Sequence, residues 1–325
     1  MTDPNNMIDM VVTKVVAVTP LIKELTLAAV DGGDLPTFTG GSHIIVQFGE
    51  GEQRHANAYS LMGSCRQRQH YQVAVRRDDE GRGGSRLIHE GMGVGTHVRV
   101  TPPNNLFALT AGAHKQVLIA GGIGITPFLA QIEELQAQGA DFELHYAFRS
   151  AAHGAYVARL QQDLGPTKLS LYDASQGQQL SVLDTVGAQP AGSHVYVCGP
   201  LSLIDAVVEA ATASGYDAAC IHYEKFHAVL PTAADGAQGF TVTLAKSQKD
   251  VWVGPDESIL QAIERQNIAV ECLCREGYCG TCETAIVAGE AIHLDAYLSD
   301  EEKAAQATMM ICVSRARSPH ITLDL

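Results

Sequence analysis

Residues 271–282 read ECLCREGYCGTC and put Cys272, Cys274, Cys279 and Cys282 within eleven positions; Cys312 follows thirty residues later. This crowding constrains the fold more than any other feature, because the chain around it must form to suit whatever the thiols hold. Five of the eight cysteines lie here, and MTDPNNMIDM lacks the basic flank and apolar core of an export signal. A reduced chain with a cysteine-ligated site therefore fits better than a disulfide scaffold.

Cys274, Cys279 and Cys282 have the spacing C-x4-C-x2-C, and with Cys312 they make the plant-type [2Fe–2S] pattern. Two irons need four thiolates. A tight loop brings three to one side of the cluster and turns backbone N–H groups toward the sulfurs. Gly277 and Gly280 permit that curvature. Zinc is the alternative, but it prefers paired short spacings, and only one C-x2-C is present. On a strand Cys272 and Cys274 share a face, so spacing does not forbid an exchange between them. Cys272 is expected to be a small apolar filler.

At 325 residues the chain exceeds one ordinary core. Residues 10–107 carry short β-branched runs such as MVVTKVVAVT, HIIVQF and YQVAVRR, broken by DGGD, GEGE and GRGG. These predict a β-barrel. From Thr110, strands alternate with helices, as in KQVLIAGGIGITPFLAQIEELQAQG, which predicts a parallel α/β domain. PTAADGAQG reads as a linker, and a small α+β domain follows. The expected division is 1–108 barrel, 109–228 α/β domain, 229–238 linker and 239–325 cysteine-bearing domain.

The net charge of −14 argues against nucleic acid or an anionic membrane as partner, and no apolar run is long enough to span a bilayer. A cytoplasmic location is expected. Between Leu230 and Leu325, 14 Asp and Glu stand against 7 Lys and Arg, a surplus that suits a basic docking partner.

AGGIGITP follows a predicted strand and precedes a helix. Gly121, Gly122 and Gly124 would allow close approach to a pyrophosphate at the helix N-terminus. VYVCGP ends another strand and sets Cys198 at the carboxyl edge of the sheet, where α/β sites gather. Arg149 and Ser150 follow the second strand, where a ribose 2′-phosphate would be read; Asp173, which disfavours one, is a second candidate near adenosine.

The cysteine segment resembles the C-terminal domain of the phthalate dioxygenase reductase family, and the likeness runs the length of the chain. GGIGITP with CGP likewise resembles the ferredoxin–NADP⁺ reductase superfamily. The resemblance implies a flavin-binding antiparallel β-barrel, an α/β nicotinamide-binding domain and a plant-type β-grasp ferredoxin domain. It assigns Cys274, Cys279, Cys282 and Cys312 as ligands and gives Cys272 none. Thr126 and Cys198 would border the nicotinamide, with Gly199 and Pro200 shaping the wall.

NAYSLMG matches the family's Arg-x-Tyr-Ser-Leu motif. Tyr59 would pack on the isoalloxazine, Ser60 would reach its polar edge, and Leu61 completes the match. The arginine is replaced by Asn57, which can donate a hydrogen bond but carries no charge; Arg54 is a nearby substitute. GRGGSR resembles the phosphate loop, with Gly83, Gly84 and Ser85 around the phosphate and Arg82 and Arg86 adding charge. Val73, Ala74 and Val75 would supply backbone bonds to the ring. Phe226 would stack near it, with Glu224 either in the interface or solvated. The domain order implies FMN, and the family implies NADH.

NADH gives up two electrons as a hydride, a [2Fe–2S] cluster takes one at a time, and a flavin connects the two. The expected function is an NADH-dependent reductase passing electrons through FMN and [2Fe–2S] to a Rieske non-haem iron oxygenase. A reductase for a cytochrome P450 or diiron oxygenase is one alternative. A non-enzymatic redox sensor or zinc-bound interaction protein is another.

Overall fold

The computed structural model describes residues 7–51, 54–226 and 232–325. The chain forms two compact units, Met1–Phe226 and His227–Leu325. Residues 227–231, which include the start of the expected linker, lie outside the described residues, as do the first six.

The first unit holds two sheets. One is antiparallel, in the order His55–Ser60, Ser42–Phe48, His97–Val100, Ile8–Thr19, Ile22–Ala29, Tyr71–Arg76, with Asn104–Asn105 added beside Ser42–Phe48. An antiparallel bridge between Met62 and Gln72 joins the two ends into a barrel. Strand alternation sorts the side chains: Val73 and Val75 enter the barrel core, while Ala74 points to the opposite face. NAYSLMG is strand through Ser60. GRGGSR, read as a loop, runs into a helix, Gly84–Gly91. Its glycines masked this, and the helix is short, with only Gly84 and Ile88 buried.

The second sheet is wholly parallel, in the order Leu169–Asp173, Phe142–Phe148, Lys115–Gly121, Ser193–Cys198, Ile221–Glu224. Both faces of its central strands are buried. Leu118, Ala120 and Tyr196 pack with Phe128 and Leu129 of the helix Thr126–Gln138. Val117, Ile119 and Val197 pack with Ile204 and Val207 of the helix Leu201–Ala213. Such double burial explains the near-continuous apolar runs of these strands.

Barrel and parallel sheet are fastened together. Gln131 Nε2 donates to Phe107 O at 2.7 Å, Gly40 N to Glu134 Oε2 at 2.8 Å and Tyr156 OH to Glu24 Oε2 at 2.7 Å. Gly41, at φ +92°, is obligatory here: a Cβ would stand 2.1 Å from Phe107 O.

The second unit has a five-stranded sheet, ordered Lys249–Val253, Phe240–Leu244, His320–Leu323, Glu283–Ala288, Thr308–Met310. Its first two strands, Phe240–Leu244 and Lys249–Val253, form a hairpin, and the helix Ile259–Arg265 is opened by a Ser258–Gln261 capping box. The tail forms the strands Arg315–Ala316 and His320–Leu323, but Cys312 itself lies in a turn. A short helix, Asp300–Ala305, was not anticipated, although Ser299 and Glu302 spell its capping box.

Candidate flavin, nucleotide and iron–sulfur sites

In the barrel, the Ser60 hydroxyl is buried and lacks a hydrogen-bond partner. Such a group costs about 1–3 kcal/mol unless something polar meets it. That orphaned oxygen fits the polar edge of a flavin. Earlier on the same strand lie Asn57, three residues before Ser60, and His55, two residues before Asn57. The Asn57 amide donates to Tyr59 OH at 3.2 Å and lies so close to Gly84 that a Cβ there would meet Nδ2 at 2.6 Å. The same Cβ would lie 3.4 Å from His55 Nδ1, and one on Gly83 would be 3.9 Å from an Arg86 terminal nitrogen.

Gly83, at φ +90°, begins the helix with no side-chain cap, so its first amides have no intrahelical acceptor. Bare amides, an imidazole, an amide side chain and a guanidinium thus border one small space, as a phosphate requires. His55 was missed from the sequence; its alternation with Asn57 on one strand was the available signal. Burial, reinforced by nearby Arg82, lowers the His55 pKa. Arg54 is exposed.

Other expected flavin residues have additional duties. The Ser85 hydroxyl accepts from Asp78 N at 3.0 Å and donates to Asp78 O at 3.1 Å. Leu61 is buried in the barrel core. The Val75 carbonyl meets His89 Nε2 at 2.9 Å.

In the nucleotide half the two motifs interlock. A Cβ on Gly124 would stand 2.2 Å from Cys198 O, and one on Gly121 would stand 2.6 Å from Pro200 Cδ. Gly199 in turn faces Gly121, where a Cβ would be 2.9 Å from its Cα. The glycine turn is a 3-10 segment, Gly122–Ile125, and Thr126 Oγ1 donates back to Ile123 O at 3.0 Å. Ala74, Ile125 and Cys198 share one buried cluster, with Ile123 and Phe226 packed against it. The barrel strand expected to border the flavin therefore shares a core with Cys198, which is expected to border the nicotinamide.

Cys198 and Glu224 end adjacent parallel strands in register, and the thiol lies 3.9 Å from Glu224 Oε2. Burial pushes the Glu224 carboxyl up to about 8, so it is mostly protonated at neutral pH. Burial, then Glu224, holds the Cys198 thiol well above its ordinary range, which removes it as a nucleophile. Glu224 is thus an enclosed acid, not a solvated one.

Arg149 is exposed just past the strand Phe142–Phe148. Asp173 ends the neighbouring strand and accepts from Ser175 N at 2.9 Å and Ser175 Oγ at 2.6 Å.

In the second unit, Gly277 and Gly280 both have positive φ, +74° and +75°. A Cβ on Gly280 would stand 2.3 Å from the Tyr297 ring, and one on Gly277 would stand 2.8 Å from Val313. The loop is therefore wrapped as tightly as its composition suggested. Glu276 N donates to Cys274 Sγ at 3.4 Å. The Cys274 and Cys279 thiols interact, as do those of Cys282 and Cys312. Three of these four are buried and Cys279 is half-buried. No three His, Cys, Asp or Glu side chains among the described residues close on a single metal point. The donor set and its backbone N–H suit a binuclear cluster. Cys272 is nearer than a filler need be: its sulfur accepts from the Cys282 and Cys312 thiols, which lowers its pKa. It also packs against the domain core.

Residues 242–317 match the family described as 2Fe-2S iron-sulfur cluster binding domain. Residues 96–221 match the dimethylamine monooxygenase subunit DmmA-like, N-terminal domain. A carnitine monooxygenase reductase subunit of Acinetobacter baumannii is 50% identical over 315 residues, 97% of each chain. The solved phthalate dioxygenase reductase superposes with a TM-score of 0.74 at 31% identity, over 99% of this chain and 98% of that one. The chain belongs to the phthalate dioxygenase reductase family. This reductase is an NADH-dependent flavin and iron–sulfur oxidoreductase of the kind that serves as the reductase subunit of an oxygenase system. A type IV self-sufficient cytochrome P450 monooxygenase is also similar, with a TM-score of 0.80 and 39% identity; the reductase spans 98% of its own length but 41% of that chain. Among the described residues, no helix is long and apolar enough to cross a membrane.

Proposed function

We propose that this reductase supplies electrons to a Rieske non-haem iron oxygenase in the cytoplasm, with FMN as its flavin. The flavin domain is 1–108, the nicotinamide domain 109–228, the linker 229–238 and the ferredoxin domain 239–325. The observation that carries the reading is the shared cluster of Ala74, Ile125 and Cys198 with Phe226 against it.

On this reading Tyr59 covers the isoalloxazine, the Ser60 hydroxyl meets its polar edge, and the backbone of Val73–Val75 borders the ring. Asn57 and His55, with the amides at Gly83, Gly84 and Ser85, hold the phosphate. Gly121, Gly122 and Gly124 admit the pyrophosphate, and Arg149 and Asp173 face the adenosine half. Thr126, Cys198, Gly199 and Pro200 orient the nicotinamide, while Phe226 excludes water. Glu224 offers a neutral hydrogen-bond donor there and adds no charge. Cys274, Cys279, Cys282 and Cys312 hold the two irons. When bound, the flavin accepts a hydride and passes its electrons on singly.

Anaerobic titration of the purified protein with NADH tests this. Bleaching of the flavin and a reduced [2Fe–2S] resonance are expected, and FMN should be released on extraction. Absence of either cofactor would sink the reading. The likeness to a P450 monooxygenase favours a haem enzyme as the second candidate acceptor. Turnover with each purified acceptor separates the two.

A further inference from the structure

One buried polar group in the ferredoxin unit is left unused by the electron path. The His293 side chain is 5% exposed, and neither ring nitrogen has a hydrogen-bond partner. A native protein rarely keeps such a group without a reason. Its Nδ1 lies 3.7 Å from Oδ1 of Asp295, whose side chain is fully buried.

Asp295 is held in place and lies against the cysteine loop. Its Oδ2 accepts from Leu298 N at 2.9 Å and its Oδ1 from Ser314 Oγ at 3.2 Å. A Cβ on Gly277, between Cys274 and Cys279, would stand 3.1 Å from Asp295 Cα. Ala296 N donates to Gly277 O at 3.1 Å. Asp295 therefore bridges His293 to the loop on one side and to Ser314, two residues past Cys312, on the other.

We propose that His293 is a proton-uptake site coupled to the electron held in this domain. An electron placed near a buried, neutral imidazole with a free nitrogen makes its cation more favourable. The step balances simply: one electron arrives from the flavin, one proton arrives from water, and one N–H bond forms on the ring. When the electron leaves for the acceptor, the proton returns to water. Asp295 stabilises the imidazolium; Lys303 and Arg317, the other charged groups facing the ring, oppose it. Arg317 is itself paired with Glu290 at 3.6 Å. Before the electron arrives, burial outweighs Asp295 and keeps the ring neutral.

The inference rests on a [2Fe–2S] cluster in this unit, and its test separates the two claims. The cluster potential is measured by redox titration of the whole protein across neutral pH, followed by its reduced resonance. The reduced-to-oxidised ratio at fixed potential should fall up to tenfold per pH unit, about 59 mV for one electron. His293→Gln should retain the cluster and flatten this slope. Lys303→Gln, on an exposed helix, should move the sloping window to higher pH, and it decides the matter where His293→Gln does not hold the cluster. A flat potential in the native protein overturns the proposal, as does an unchanged slope in His293→Gln or an unmoved window in Lys303→Gln. A missing resonance would instead overturn the cluster assignment.

Discussion

The Cys198 thiol points at the Glu224 carboxyl across 3.9 Å, both at the carboxyl ends of adjacent parallel strands and both buried. Each keeps its proton chiefly because burial makes a charge costly; Glu224 adds to this for the thiol, whereas the thiol's hydrogen bond opposes it for Glu224. Cys198 shares a buried cluster with Ile125, against which Phe226 packs, so on the proposed reading the nicotinamide would meet an uncharged polar pair.

This pair makes stability depend on pH. Glu224 has an ordinary pKa of 4.5 and is raised to about 8 in the fold. The native state then binds more protons than the unfolded chain between those values. Its stabilising contribution is complete below the lower value and is lost as pH rises through the upper one. Glu224→Gln should therefore raise the melting temperature above pH 7 and flatten its decline toward pH 9. A difference of about 1–3 kcal/mol is expected, discounted from about 1.4 kcal/mol per pKa unit for relaxation. Parallel melting curves for the two proteins would refute the assignment.

Ser60→Ala should act with opposite signs in the two forms of the protein. Without flavin it removes a buried hydroxyl that bonds to nothing, so the apoprotein should melt at the same temperature or higher. With flavin it removes a hydrogen bond, and affinity should fall about fivefold to tenfold, roughly 1 kcal/mol. Thermal melts with and without cofactor, together with flavin fluorescence titration, give both signs.

His55→Ala separates the phosphate from the ring. Binding of FMN should weaken about fivefold through loss of one hydrogen bond, whereas riboflavin, which lacks the phosphate, should bind as before. Gly84→Ala should weaken FMN more, since the new Cβ displaces the Asn57 amide, 2.6 Å away. Equal losses for FMN and riboflavin in His55→Ala would place the phosphate elsewhere.

The five crowded thiols are sorted by substitution. Cys274→Ser should lose most of the [2Fe–2S] absorbance, while Cys272→Ser should retain it. The second result matters because the Cys272 sulfur lies among the thiols proposed as ligands, in contact with Cys282 and Cys312. Retention in Cys274→Ser with loss in Cys272→Ser would reverse the two roles.

Much of the architecture was legible beforehand. The parallel strands announced themselves through apolar runs such as KQVLIA, and GGIGITP was readable from its place between strand and helix. Two helices were not seen. GRGGSR hides a helix start behind glycines, and DEEKAA has no buried residue to give it a period, so only its capping box could have revealed it. The unanticipated strand Glu283–Ala288 has one buried side chain, Thr284, too few for a clear alternation.

The sequence by itself determined the cysteine spacing, the order of elements and the glycines that permit tight turns, because each is written in residues close along the chain. Only the tertiary structure decided that Glu224 is an enclosed acid, that His55 and Asn57 face Gly84, that Cys272 lies among the thiols proposed as ligands and that His293 is buried without a hydrogen-bond partner. Those facts depend on burial and on contacts between distant segments. A carboxylate, an imidazole or a thiol has no fixed chemistry until the fold sets how much water and which neighbours it keeps.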